Sequence, residues 1–159
     1  MASAKRKPRL KANPTDLLVL EDFLPYRLSV LSNRISRAIA RRYAKTFDLT
    51  IPEWRIIAVL GRRSGLTAKE IAEATEMDKV AVSRGVARLA AAKRVEAEAD
   101  ESDARRQLLF LTREGENVHA RIAPLALATE EKLLATLSAH DRTELARLLD
   151  RLSGAAKLL

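Results

Sequence analysis

TAKEIAEATEMDKVAVSRGVARLAAAKRVEAEADESDARRQLLFLT, residues 67–112, decides the fold. Thr67 and Glu70 have the spacing of a capping box, so Thr67 opens a helix whose inward side takes Leu66, Ile71 and Ala74. That helix ends near Glu76, because Asp78 is an N-cap for the segment KVAVSRGVARLAAAKR, residues 79–94. Val82, Val86 and Leu89 recur at helical spacing and predict its buried face, which leaves Lys79, Ala81, Ser83 and Arg84 outside. Next, Val95, Ala97 and Ala99 alternate with Glu96 and Glu98, a polar DESDARR follows, and an apolar QLLFL returns. This pattern predicts two strands around a charged tip. Two helices at a tight turn followed by a hairpin make a winged helix-turn-helix, and that order points to DNA.

The chemistry fits the order. The major groove admits a helix and displays a distinct donor and acceptor pattern for each base pair, so a reading helix needs small and hydrogen-bonding side chains in its first half. Lys79, Ala81 and Ser83 meet that need, and Arg84 can reach a guanine or a phosphate. In the hairpin, Asp103 and Arg105 are spaced so that the carboxylate would orient the guanidinium while Arg105 and Arg106 project outward. Such an arginine fits the narrow, strongly negative minor groove of an A·T tract. Thr67, Lys69 and Arg88 complete the candidate DNA-contacting set. A solvated amphipathic helix and a plain surface turn would carry similar residues; the joint occurrence of helix pair and hairpin favours DNA. Gly85 breaks the pattern, because glycine inside a helix costs ~1 kcal/mol relative to alanine. Either the backbone there approaches something closely or the helix is locally soft.

These residues resemble the MarR family of bacterial transcription regulators, whose wing ends in Asp-x-Arg, a hydrophobic strand and Leu-Thr-x-x-Gly, here Asp103, Arg105, Leu111, Thr112 and Gly115. LTIPEWRIIAVL is similar to the family's second helix and LSAHDRTELARLLDRL to its last, so the resemblance runs from Leu24 to Leu152. It implies that Lys79, Ala81, Ser83 and Arg84 lie on the recognition helix and that Asp103 and Arg105 lie in the wing. Ala104 departs from the family pattern by standing where many members carry a first wing arginine, and Arg106 extends the basic run instead. The expected fold is mainly α with a small two-stranded β-wing, a winged helix-turn-helix core (51–112) flanked by N- and C-terminal dimerisation helices (24–47 and 113–153) in one domain, 16–159.

Composition agrees. A chain of 159 residues with 47% hydrophobic content can bury one core, and a net charge of +8 favours a polyanionic partner, double-stranded DNA. With no cysteine, disulfides, thiolate metal sites and thiol-based sensing are excluded. Residues 1–15 form a basic arm, expected to be disordered, with five Lys or Arg between Lys5 and Lys11; it is suited to nonspecific phosphate contacts or to solubility alone. With neither a signal-peptide core nor a membrane span, a cytoplasmic protein is expected. Leu24, Leu28, Leu31, Ile35, Ile39, Tyr43 and Phe47 follow the rhythm of a long helix with a basic side, and Leu145, Leu148, Leu149 and Leu152 mark another at the opposite end. Pro124 predicts a kink in the helix that Thr112 opens. Apolar helices at both ends, beyond what a winged motif needs, predict pairing with a second copy, a homodimer reading a pseudo-palindrome.

By the same resemblance, a repressor is expected that releases DNA when a small anionic aromatic ligand, an aromatic acid or its CoA thioester, binds between the dimerisation helices and the reading lobe. Tyr26, Arg27, Ser29, Asn33, Trp54 and Ile57 are the candidate lining residues. An enzyme is not expected: His119 and His140 lack metal-ligand spacing, no glycine-rich phosphate loop occurs, and neither a cofactor nor a metal is predicted. Two other readings remain open on the sequence: a nonspecific architectural nucleic-acid binder, and a winged helix used only for protein contacts.

Overall fold

The computed structural model describes residues 18–100, 102–103 and 105–159; the basic arm lies outside them. After a short 3₁₀ turn at Leu20–Asp22, the elements run α1 (Leu24–Phe47), α2 (Ile51–Arg62), α3 (Ala68–Thr75), α4 (Lys79–Ala91), β1 (Val95–Ala99), β2 (Gln107–Leu111), α5 (Arg113–Leu134) and α6 (Ala139–Ala156). β1 and β2 pair antiparallel, Val95 opposite Leu111 and Ala99 opposite Gln107. The mainly helical fold with a two-stranded wing is thus as expected from sequence.

Side chains that cap the first turns set most of these boundaries. Thr50, Thr67 and Ser138 each accept a hydrogen bond from the backbone of the third helical residue, and Glu53, Glu70 and Asp141 accept the reciprocal one, three complete capping boxes. Asp78 Oδ1 accepts from the backbone N–H groups of Val80 and Ala81 at the start of α4. Glu76, in the left-handed conformation with φ 50°, ends α3 and makes the turn between the two helices tight. α5 is assigned as a single helix through Pro124, whose missing N–H removes one rung from the helical ladder.

The chain divides into two units at Ala38/Ile39. In the first, Leu24, Tyr26, Leu28 and Leu31 of α1 are exposed. In the second, α2 is the central helix and packs against α3, α4, α5 and β2. Tyr43, Phe47, Leu49, Ile56, Ile57, Leu60, Leu66, Ile71, Val82, Leu89, Val95, Leu109, Val118 and Ile122 form one continuous core. Burial pushes the Tyr43 phenol up to about 12, so this ring stays neutral among its apolar neighbours. The sheet is tied to the helix pair by Leu66, which bridges to Leu109: Gly65 N–H donates to the Leu109 carbonyl at 3.0 Å and Leu109 N–H to the Leu66 carbonyl at 2.9 Å.

Two sequence expectations are corrected. In α3 the inward alanine is Ala72, not Ala74, because Ile71 and its neighbour take the side facing α2 and α4. In β1 only Val95 is buried; Ala97 and Ala99 are exposed, and at the Ala97 pair it is the partner Leu109, bridged to Leu66, that is buried.

Gly85 is explained by close approach. A Cβ at that position would lie 2.6 Å from Cδ1 of Ile56, which is fully buried. Gly115, in the Leu-Thr-x-x-Gly segment, is more constrained, since a Cβ there would overlap the Arg94 carbonyl oxygen. Thr112 completes that joint: its hydroxyl donates to the Lys93 carbonyl at 2.6 Å and accepts from Gly115 N–H at 3.1 Å. Gly85→Ala is therefore expected to destabilise by about 1–3 kcal/mol through overpacking, despite its better helix propensity. Adding Ile56→Val, which removes the obstructing methyl, should restore most of that loss in urea unfolding.

Candidate nucleic-acid interface

α4 turns one face to the core and one to solvent. Val82, Gly85 and Leu89 are buried, while Lys79, Val80, Ser83, Arg84, Ala87 and Arg88 are exposed and Ala81 is half-buried. The capped first turn fixes where this outer face begins, and α2 fixes its direction. Glu53 on α2 is 2% exposed, its Oε2 accepting the Thr50 backbone N–H at 2.7 Å and its Oε1 lying 2.6 Å from Nε of Arg88. One turn along α2, Ile56 fills the space that Gly85 leaves open. Two successive turns of α2 thus hold the middle of α4, one by charge and one by shape.

The hairpin tip is a dense turn. Asp100 accepts hydrogen bonds from the hydroxyl and backbone N–H of Ser102, at 2.6 and 2.8 Å, and pairs with Arg106 at 3.4 Å. The Ser102 hydroxyl, then its N–H, hold the Asp100 carboxyl below the usual carboxylate range. Asp103 Oδ1 accepts the backbone N–H of Arg105 at 3.0 Å. That corrects the expectation that this carboxylate orients the Arg105 guanidinium: it orients the backbone, and the side chain is left exposed. Arg106 is likewise held by Asp100 instead of standing free. At the start of α3, the Thr67 N–H and hydroxyl keep Glu70 ionised below its ordinary range.

The candidate DNA residues fall into two groups. Lys79, Arg84 and Arg105 make no ion pair among the described residues, whereas Lys69 pairs with Glu73, Arg88 with Glu53 and Arg106 with Asp100. A groove of about 670 Å³ brings Thr67, Lys69, Arg105 and Arg106 together between α3 and the wing; the α4 residues do not line it. Sequence reasoning missed Glu53, Val80 and the pair Asp100–Ser102. Only Glu53 had a readable signal, the Thr50-x-x-Glu53 capping box.

The candidate effector residues lie in both units. Tyr26, Arg27, Ser29 and Asn33 are exposed on α1 in the first. In the second, Ile57 is fully buried in the core, and Trp54 is half-buried with its ring 5.8 Å from Tyr43 and stacked at 5.9 Å on His119. Among the described residues, no group of acidic, histidine or cysteine side chains is placed to hold a metal ion, and no helix is long and apolar enough to cross a membrane.

The profile of the MarR family matches residues 47–106, the segment from the end of α1 through α2 and the helix pair to the turn before β2. The transcriptional regulator HosA of Escherichia coli O127:H6 is 30% identical over 95 residues, covering 60% of this chain and 70% of that protein. The chain belongs to the MarR family. Its winged helix-turn-helix is accordingly that of a DNA-binding transcriptional regulator. Among solved structures, a MarR/EmrR family regulator from Acinetobacter sp. ADP1 superposes with a TM-score of 0.81 at 25% identity, covering 89% of this chain and 100% of that one. Bordetella bronchiseptica BpsR, whose DNA binding is regulated by 6-hydroxynicotinic acid, shares the fold with a TM-score of 0.76 at 20% identity over 87% of this chain and 98% of that one.

Within this MarR-family chain Arg84 and Arg105 separate cleanly in a mutational test. Arg84→Ala is expected to lower affinity by about 1–3 kcal/mol and to relax preference at one or two base pairs. Arg105→Ala should weaken binding most where the flanking minor groove is narrow, leave the base preference at the α4 positions unchanged, and reduce the salt slope by about 1. Fluorescence anisotropy on single-substitution duplexes over a salt series checks both. Arg88 is a poorer probe, since removing it also strands the buried Glu53 carboxylate.

Proposed function

We propose that this protein is a homodimeric repressor that binds a pseudo-palindromic operator through α4 and the wing of each chain, and that a small anionic aromatic ligand releases it. The observation that carries this reading is the partition of exposed side chains. Lys79, Arg84 and Arg105, without an ion pair among the described residues, stand on α4 and the wing, while exposed large apolar residues occupy the beginning and end of the chain, among them Leu20, Phe23, Leu24, Leu28 and Leu31, and Leu145, Leu148, Leu149 and Leu152. Monomeric proteins rarely leave rows of leucine like these uncovered on a helix, so a second copy is the natural cover. Two such chains would hold two reading helices about one DNA turn apart.

The ligand part of the reading rests on charge and on likeness. α1 carries Arg27, Arg34, Arg37, Arg41, Arg42 and Lys45 without an acidic residue, which suits a carboxylate or a CoA phosphate. A neighbour in fold, BpsR, responds to an aromatic acid. Of the residues singled out in the sequence, Tyr26, Arg27, Ser29 and Asn33, exposed on α1, are the ones proposed to meet the effector; Ile57 is closed off in the core. The ligand would act by binding more tightly to a dimer whose reading helices have the wrong spacing for DNA.

At about 150 mM salt, the full chain should bind DNA from upstream of its own gene at least about 10³-fold more tightly than a scrambled duplex. It should sediment as a dimer, and titrated aromatic acids such as 6-hydroxynicotinic acid or their CoA thioesters should lower the anisotropy of the complex. Equal affinity for duplexes selected from a random pool and for scrambled ones would favour the architectural reading. Specific binding that no anionic aromatic reverses would remove the ligand from the proposal and leave the DNA reading standing.

A further inference from the structure

Val80 is out of place. The other large apolar side chains that are strongly exposed lie before Ser32 or after Ala126; among the described residues between those points, Val80 alone is exposed, at 53%. It stands in the first turn of α4, on the face it shares with Ser83, Arg84 and Ala87, all of them exposed. Lys79 and Arg84 beside it make no ion pair among the described residues, so its surroundings are cationic and polar, unlike the leucine-rich chain ends. Its backbone is fixed, because its N–H donates to Asp78 Oδ1 at 2.8 Å. Its side chain is β-branched and has little rotamer freedom to lose, so it presents its methyl groups as a rigid edge.

We infer that Val80 is a specificity-determining residue that packs against the 5-methyl group of a thymine in the major groove. The thymine methyl is the one apolar feature in the pattern of base edges displayed there, so it is the DNA chemistry that an exposed valine can recognise. Val80 and Arg84 are one turn apart, about 6 Å along the helix, which places the thymine within about two base-pair steps of the base that Arg84 contacts. This assignment rests on the sequence-specific reading of α4 proposed above.

The test uses the full-length protein and a duplex selected from a random pool. Each thymine of one half-site is replaced in turn by deoxyuridine, which removes only the methyl group. The wild type should lose about fourfold in affinity at one position near the Arg84-dependent base pair, the equivalent of one buried methyl. Val80→Ala, a surface change compatible with the helix, should bind thymine and uracil equally at that position while keeping the Arg84-dependent preference. Neutral replacement at every thymine, or a methyl effect undiminished in Val80→Ala, overturns the assignment while leaving specific binding intact. A pool that yields no preferred sequence overturns the specific-binding reading, and this assignment falls with it.

Discussion

The winged lobe is organised by the contact between α2 and α4. A carboxylate removed from water is costly unless it is paired, and Glu53 is paired on both oxygens: by the Thr50 backbone N–H within its own helix and by Arg88 across the interface. The charge pair therefore fixes which turn of α4 lies over the start of α2. Ile56 against Gly85 fixes how close the two helices come, since any larger residue would push the buried methyl aside. Together these contacts set the angle at which the opposite face of α4 meets solvent, and α3 and the sheet are built around them. Leu66 couples the loop after α2 to β2, and the Thr112–Lys93 and Gly115–Arg94 contacts couple the connection between α4 and β1 to the start of α5.

Ion pairing divides the surface cations by what DNA could displace. Lys69–Glu73 is a solvent-exposed pair worth little, so a phosphate could take the place of Glu73 at small cost, whereas Asp100, 15% exposed and held by Ser102, is a more settled partner for Arg106. Arg88 differs, because its partner is buried and cannot be resolvated; it is 60% exposed, with Nε turned to Glu53. Apart from Val80, the strongly exposed large apolar residues lie before Ser32 or after Ala126, whereas Lys79, Arg84 and Arg105 lie between them.

Much of this was legible in the sequence, and the reasons are local. Capping boxes at Thr67 and the N-cap at Asp78 announce α3 and α4 because the groups that satisfy one another lie three residues apart. The hairpin showed in the alternation around a polar tip. What failed depended on distant parts of the chain. Alternation at Ala97 and Ala99 does not give burial: in the Ala97–Leu109 pair the core takes Leu109, through its bridge to Leu66. A glutamate in the first turn of a helix reads as solvated, and only the long-range meeting with Arg88 makes Glu53 an interior residue. The anomaly of Gly85 was visible, yet its cause, Ile56, belongs to another helix. Asp103 satisfies the backbone of Arg105 where side-chain pairing was expected, a choice between two local partners that spacing alone does not resolve.

The central claim is that each chain presents one reading face, α4 held by α2, with the wing beside it as a minor-groove contact. Chemical footprinting of a selected duplex tests this most directly, by combining guanine N7 methylation with hydroxyl-radical cleavage of the sugars. Two major-groove segments about one helical turn apart should be protected from methylation, each flanked by a protected minor-groove segment that loses protection in Arg105→Ala. Uniform protection along any duplex, or protection confined to the minor groove, would contradict the account.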